Sequence, residues 1–157
     1  MKNFLRMMAL AALLVVGVGC ESNGVGEGEP QPAPELEVTP NNISGTWQLS
    51  LWNDAPLAEG SYVYIDFVRA DRTYTMYQNV DSFGNRTLTG RYYIYVDEEL
   101  GVAVIRGDYD HGAGEWNHRY IVESLTAESM RLVAKDNSGD VCTYVRAELP
   151  EELLATE

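Results

Sequence analysis

Aromatic side chains dominate among the residues able to do chemistry: ten Tyr and three Trp stand against three Phe. Tyrosine and tryptophan join a broad apolar face to one polar atom, so they suit sites that hold a molecule by contact and orient it by a hydrogen bond. Phe67, Tyr74, Met76, Tyr92, Trp116, His118 and Tyr120 are the expected ligand-binding group. No serine or cysteine sits in a nucleophile-elbow pattern, no glycine loop is shaped to cradle phosphate, and only two His serve for proton transfer. The chain is therefore expected to bind rather than catalyse, and to need no cofactor.

A second cluster, Asp108-Tyr109-Asp110-His111-Gly112-Ala113-Gly114-Glu115, gathers three carboxylates in one glycine-flexed loop. Hard cations want several oxygen ligands on a tightly turning chain. Asp108, Asp110 and Glu115 are the nearest approach to such a set, but Gly112 stands where an EF-hand loop carries a ligand, so the loop is read as a solvated acidic turn without a metal. Zinc at His111, Glu115 and His118 is set aside too, because His118 alternates with Asn117 and Arg119 and shares a side with Trp116 and Tyr120.

Eleven Lys and Arg against 24 Asp and Glu give a net charge of −13. Nucleic acid and anionic headgroups are held by basic side chains that displace counterions, so this chain repels both.

These side chains must be positioned by strands. From Ile43 onward the hydrophobic period is two, not 3.6. Trp47, Leu49 and Leu51 alternate with Gln48, Ser50 and Trp52, and Val63, Ile65 and Phe67 with Tyr64 and Asp66. Further runs cover 73–79, 88–96, 101–106, 116–123, 130–135 and 140–147, with turns at Asp54-Ala55-Pro56, 82–85, 97–99, 108–114 and 136–139. Tyr92 is expected to line a cavity with Ile94 and Val96, and Trp116 with His118, Tyr120 and Val122. A helical turn is expected at 124–128 and a short terminal helix over 150–154. Short strands with local connections indicate an all-β, eight-stranded antiparallel up-and-down barrel, wide enough inside for side chains or one small ligand.

The first twenty residues are of another kind. Lys2 and Arg6 precede the apolar run Met7–Val18, which is shorter than a bilayer span and ends in small residues, the pattern of an export signal. Gly17-Val18-Gly19-Cys20 resembles the lipobox of bacterial lipoproteins, with Gly17 where that family usually has Leu. The resemblance implies a signal peptide over 1–19 and a diacylglyceryl and acyl (palmitate-type) modification of Cys20. Residues 20–42, rich in Gly, Pro and Glu, read as a disordered tether. The barrel is placed over 43–148 and a short tail over 149–157. With Cys20 acylated, Cys142 has no intramolecular disulfide partner and reads as a small buried hydrophobe.

Gly45-Thr46-Trp47 at the first strand resembles the Gly-x-Trp signature of lipocalins and related calycin barrels, whose Trp closes one end under a late Arg; Arg146 is the matching candidate. Asp71-Arg72-Thr73-Tyr74, Gly90-Arg91-Tyr92 and Tyr144-Val145-Arg146, in that order, resemble the lipocalin-like domains of Bacteroidetes lipoproteins. Avidin barrels also begin Gly-Thr-Trp, but their biotin site needs more Trp than Trp52 and Trp116 supply. The resemblance implies a lipocalin-like lipoprotein, lipid-anchored at an outer membrane or cell surface, that binds a small hydrophobic or amphipathic molecule. The alternative is a filled barrel whose outward Tyr62, Tyr64, Tyr93 and Tyr95 recognise a protein or glycan partner.

Overall fold

Alternation of buried and exposed side chains organises the chain from Gly45 to Arg146. The computed structural model describes residues 32–81 and 84–154; the expected leader, Cys20 and the start of the tether lie outside the described residues. The strands are β1 (Gly45–Trp52), β2 (Ala55–Pro56), β3 (Val63–Val68), β4 (Thr73–Gln78), β5 (Arg86–Val96), β6 (Ala103–Tyr109), β7 (Tyr120–Leu125), β8 (Ser129–Ala134) and β9 (Asn137–Arg146). From β3 to β9 each pairs antiparallel with the next, β3 pairs with β1, and β1 also pairs with β9 from Trp47↔Arg146 to Trp52↔Cys142. That last ladder shuts the sheet on itself. β2 is a two-residue return on the end of β1, made through Asn53 (φ 53°) and Asp54 (φ 60°), a left-handed pair that Asn and Asp tolerate well in tight hairpins. The expected eight-stranded antiparallel up-and-down barrel is what forms.

The inner face carries the period of two. Val63, Ile65 and Phe67 on β3, and Met130, Leu132 and Ala134 on β8, are buried while their neighbours are not. One end is closed by Trp47, which is fully buried and donates its indole N–H to the Ile43 carbonyl at 2.7 Å. The Arg146 guanidinium lies 3.7 Å from the centre of that ring. Its two terminal nitrogens donate to the carbonyls of Ser44 (2.6 Å) and Asn42 (3.0 Å), so the guanidinium ties the incoming chain to the last strand. Gly45, at φ +103°, is needed here because a Cβ would stand 3.0 Å from Arg146 Nη1.

Several boundaries differ from expectation. The end of the expected tether is ordered: Leu36 donates its N–H to the Leu125 carbonyl at 2.8 Å, and Leu36 and Val38 pack on the core. A short helix α1 (Pro40–Ile43) follows, with Thr39 as its N-cap and Pro at its start, and Ile43 is fully buried. Composition hid this, because two apolar side chains among Pro and Glu suffice when a barrel end waits to be covered. The expected helical turn at 124–128 is instead the end of β7 and a tight turn. In it the Thr126 hydroxyl accepts the N–H groups of Glu128 (3.2 Å) and Ser129 (2.9 Å). The β8–β9 hairpin turns at Lys135-Asp136, so Asn137 to Gly139, read as a breaker, belong to β9. The terminal helix α2 (Glu151–Leu154) forms, with Leu153 buried.

The β5–β6 turn rests on Asp97. Its carboxylate accepts the N–H groups of Glu99 (3.2 Å) and Leu100 (3.1 Å) and is bound by Lys135 from the β8–β9 turn. The lysine hydrogen bond, then the backbone bond from Leu100, holds the Asp97 carboxyl below the usual aspartate range. A carboxyl with a depressed folded pKa contributes stability that is complete above its unfolded pKa and is lost as pH falls through its folded value. Lys135→Met is therefore expected to remove part of the stability at neutral pH and to flatten the fall in stability below about pH 4. Denaturant titrations from pH 7 to pH 2 check this, and parallel curves for variant and parent would contradict it.

Candidate functional site

At the end opposite Trp47 the barrel is hollow. A cavity of about 370 Å³ lies between the strands. β9 contributes Asp140, Cys142 and Tyr144, β8 contributes Met130 and Leu132, and β3 contributes Val63, Ile65 and Phe67. Leu49 and Trp52 of β1, Met76 and Gln78 of β4, Tyr109 of β6 and Tyr120 of β7 complete the wall, with Val80, Asp81 and the segment Trp116-Asn117-His118 at the mouth. The body of this lining is aliphatic, aromatic or sulfur-bearing, and its polar groups gather toward the rim, the usual make-up of a small-molecule pocket.

Trp116 sets one side. Its indole rests on the β6 backbone at Gly107, where a Cβ would come within 2.2 Å of the indole Cε2. The indole N–H donates to the Tyr74 hydroxyl at 2.9 Å, and the two rings meet edge to face at 5.2 Å. To reach this position the chain leaves the ladder. β6 and β7 pair through Val104↔Ile121 and Ile105↔Tyr120, and the next link is the Trp116 N–H to the Gly107 carbonyl at 2.8 Å. Residues 116–119 are thus a connection rather than the expected first half of a strand.

The rim is polar and connected. His118 Nδ1 lies 2.7 Å from Asp136 and its Nε2 3.3 Å from Asp140, while the Trp52 indole N–H donates to Asp140 at 2.9 Å. The hydrogen bond from His118 is the main cause that lowers the Asp136 carboxyl below its ordinary value. Gln78, almost fully buried, turns its carbonyl oxygen to the N–H groups of Val80 (2.9 Å) and Asp81 (3.3 Å) and so fixes the chain as it leaves β4. Deeper in, burial raises the pKa of the Tyr120 and Tyr144 phenols and pushes the Cys142 thiol up to about 12. The phenols are neutral hydrogen-bonding groups and the thiol stays protonated, a poor nucleophile.

Of the residues expected to contact a ligand, Phe67, Met76, Trp116, His118 and Tyr120 line the cavity. Tyr74 and Tyr92 do not. Tyr74 stands behind Trp116 as its hydrogen-bond acceptor, and Tyr92, fully buried, packs edge-on against Phe67 at 5.0 Å. Val96, expected beside Tyr92 on a cavity face, is 65% exposed, because β5 outruns the barrel and ends at the Asp97 turn.

Trp52 is the informative miss. Strict alternation puts it outside with Gln48 and Ser50, yet it reaches the rim, because the β1–β9 register slips between Leu49 and Leu51. A bulge of this kind changes which parity faces inward. Nothing in the alternation of β1 announces it. Asp140, Cys142 and Tyr144 could have been found by applying parity to the last strand, where the even positions share one side.

The acidic loop is held by cations of the protein itself. Arg106 contacts Asp108 at 2.5 Å and Glu115 at 3.7 Å, and Asp110 accepts the Thr89 hydroxyl at 2.7 Å. Among the described residues no group of three or more His, Cys, Asp or Glu is placed to hold a metal ion. His111 is exposed at φ 60°, and His118 is bound to Asp136 instead.

No protein-family model and no curated protein matches the chain. Among solved structures it is similar to a lipocalin-like protein from Bacteroides uniformis, with 19% sequence identity and a TM-score of 0.48, covering 68% of this chain and 99% of that one. The barrel described above stands on the chain's own strand register.

Proposed function

We propose that this protein binds one compact, largely apolar molecule inside the barrel. The observation that carries the reading is the cavity of about 370 Å³, walled by apolar side chains and rimmed by polar ones. A barrel interior that served stability alone would be packed to the density of an organic crystal. The volume lies toward the lower end of the roughly 300 to 1,000 Å³ typical of ligand pockets, which favours a small ligand over a long lipid chain. The void argues against the filled-barrel alternative.

N-phenyl-1-naphthylamine, a neutral dye that brightens in apolar surroundings, tests this on the full chain. Leu132→Trp, which projects a large ring into the void from β8, is expected to lower dye affinity at least about tenfold while leaving the melting temperature near that of the parent. Undiminished dye binding in that variant would refute the cavity as the site.

Attachment through an acylated Cys20 at an outer membrane or cell surface belongs to the same reading. Support comes from the basic start, the short apolar run and Gly17-Val18-Gly19-Cys20. Mass spectrometry of the mature amino terminus decides it, and an unmodified amine there would remove the anchor.

A further inference from the structure

The charge of the cavity lining narrows the ligand further, on the premise that the cavity is the binding site. β9 presents Asp140, Cys142 and Tyr144 to the interior in succession from mouth to floor. At about 3.3 Å per residue the first and last of these positions are roughly 13 Å apart along the strand. At the mouth, His118 stands between two carboxylates, 2.7 Å from Asp136 and 3.3 Å from Asp140. A charged imidazole leaves one negative charge there uncompensated, and a neutral one leaves two.

The Trp52 N–H on Asp140 adds a dipole but no charge. The Asp140 side chain is 15% exposed, so solvent screens it poorly. Among the described residues no Lys or Arg lines the cavity. Lys135 and Arg119, which share a neighbouring depression with His118 and Asp136, are taken up by other carboxylates: Lys135 by Asp97, and Arg119 at 4.0 Å by Glu115, while Asp81 is matched by Arg86 at 2.8 Å.

The floor of the cavity also offers a polar group. Tyr144 faces the cavity and is only 8% exposed, so its phenol can hydrogen-bond to a molecule held there. The rings of Trp116 and Tyr120 also line the cavity, and aromatic rings attract positive charge to their faces.

We propose that the ligand is an amphipathic organic cation whose amine or quaternary ammonium group sits at Asp140 and whose apolar body fills the barrel. An anion meets repulsion at the mouth, and a neutral molecule leaves the carboxylate covered without a counter-charge.

Three probes with one apolar body test this by calorimetry on the full chain: 4-phenylbutylamine, 4-phenylbutanol and 4-phenylbutanoate. The amine is expected to bind about tenfold more tightly than the alcohol, and the carboxylate more weakly than either. Asp140→Asn, which keeps an acceptor for Trp52, is expected to abolish the amine's advantage, so that amine and alcohol bind with similar affinity. Asp136→Asn, at an exposed position, is expected to weaken the amine about twofold and covers the case in which the first variant misfolds. Equal binding of amine and alcohol, with Leu132→Trp still blocking both, would overturn the cationic ligand and spare the cavity reading. Binding of none of the three would overturn both.

Discussion

Trp47→Ala is expected to destabilise the protein by about 3 to 5 kcal/mol, the usual cost of truncating a large buried aromatic. The ring is fully buried, and its loss removes more than apolar area. The Ile43 carbonyl loses its indole donor, and the guanidinium of Arg146 loses the face on which it rests, 3.7 Å away. Burial already lowers the Arg146 pKa, so that cation is poorly solvated where it sits. Its bonds to Ser44 and Asn42 would then hold a segment with nothing beneath it. Denaturant unfolding followed by tyrosine fluorescence or circular dichroism measures the loss. A change below about 1 kcal/mol, the range of an ordinary surface substitution, would mean that the indole does not close the barrel. Dye affinity per folded molecule is expected to stay near the parent value, because the cavity lies toward the other end.

Gly107→Ala is expected to do the reverse, with a moderate stability cost and a large effect on binding. A methyl group at this position would lie 2.2 Å from the indole Cε2 and 2.5 Å from Nε1 of Trp116. Neither neighbour can yield by small adjustments: the carbon belongs to β6, paired with Tyr92 of β5, and the rigid indole is held by the Tyr74 hydroxyl. The indole must therefore leave its seat, break its bond to Tyr74 and move into the cavity or out of the mouth. Overpacking of this kind costs about 1 to 3 kcal/mol. Near-ultraviolet circular dichroism and tryptophan emission should both report a relocated ring, and dye affinity should fall at least about tenfold. Unchanged spectra with parental affinity would show that Trp116 does not depend on the missing side chain. Gly90 provides a contrast, since a Cβ there would stand 2.0 Å from the backbone carbonyl oxygen of Asp108, a clash that threatens the β5–β6 pairing rather than the cavity wall.

Both variants act on side chains that the sequence marks, for different reasons. A short signature and a late arginine mark Trp47 and Arg146, and the contact between them follows once β1 and β9 are neighbours. Parity marks Trp116 as a cavity aromatic on the premise that it shares a strand with Tyr120. It does line the cavity, by another route: a connection that leaves the ladder and lies against Gly107. Period-two reading takes a strand to continue wherever parity permits, and has no term for a neighbour without a side chain.

Alternation of small stretches of chain, joined by short connections, was enough to decide the eight strands of the barrel and their order. Side-chain direction along a strand is a local property, and short connections leave little choice but antiparallel neighbours. The net charge of −13, and the electrostatic repulsion it sets against polyanions, likewise needs no coordinates. The packing of Leu36 and Val38 on the core, the bulge that turns Trp52 to the rim, and the absence of Tyr74 and Tyr92 from the cavity wall were decided by contacts between residues far apart in the chain. So was the cavity itself, because whether inward side chains fill a barrel depends on the sum of volumes from eight strands and on where each pleat falls. A shift of one residue in a single register changes that sum, and no single strand carries the information.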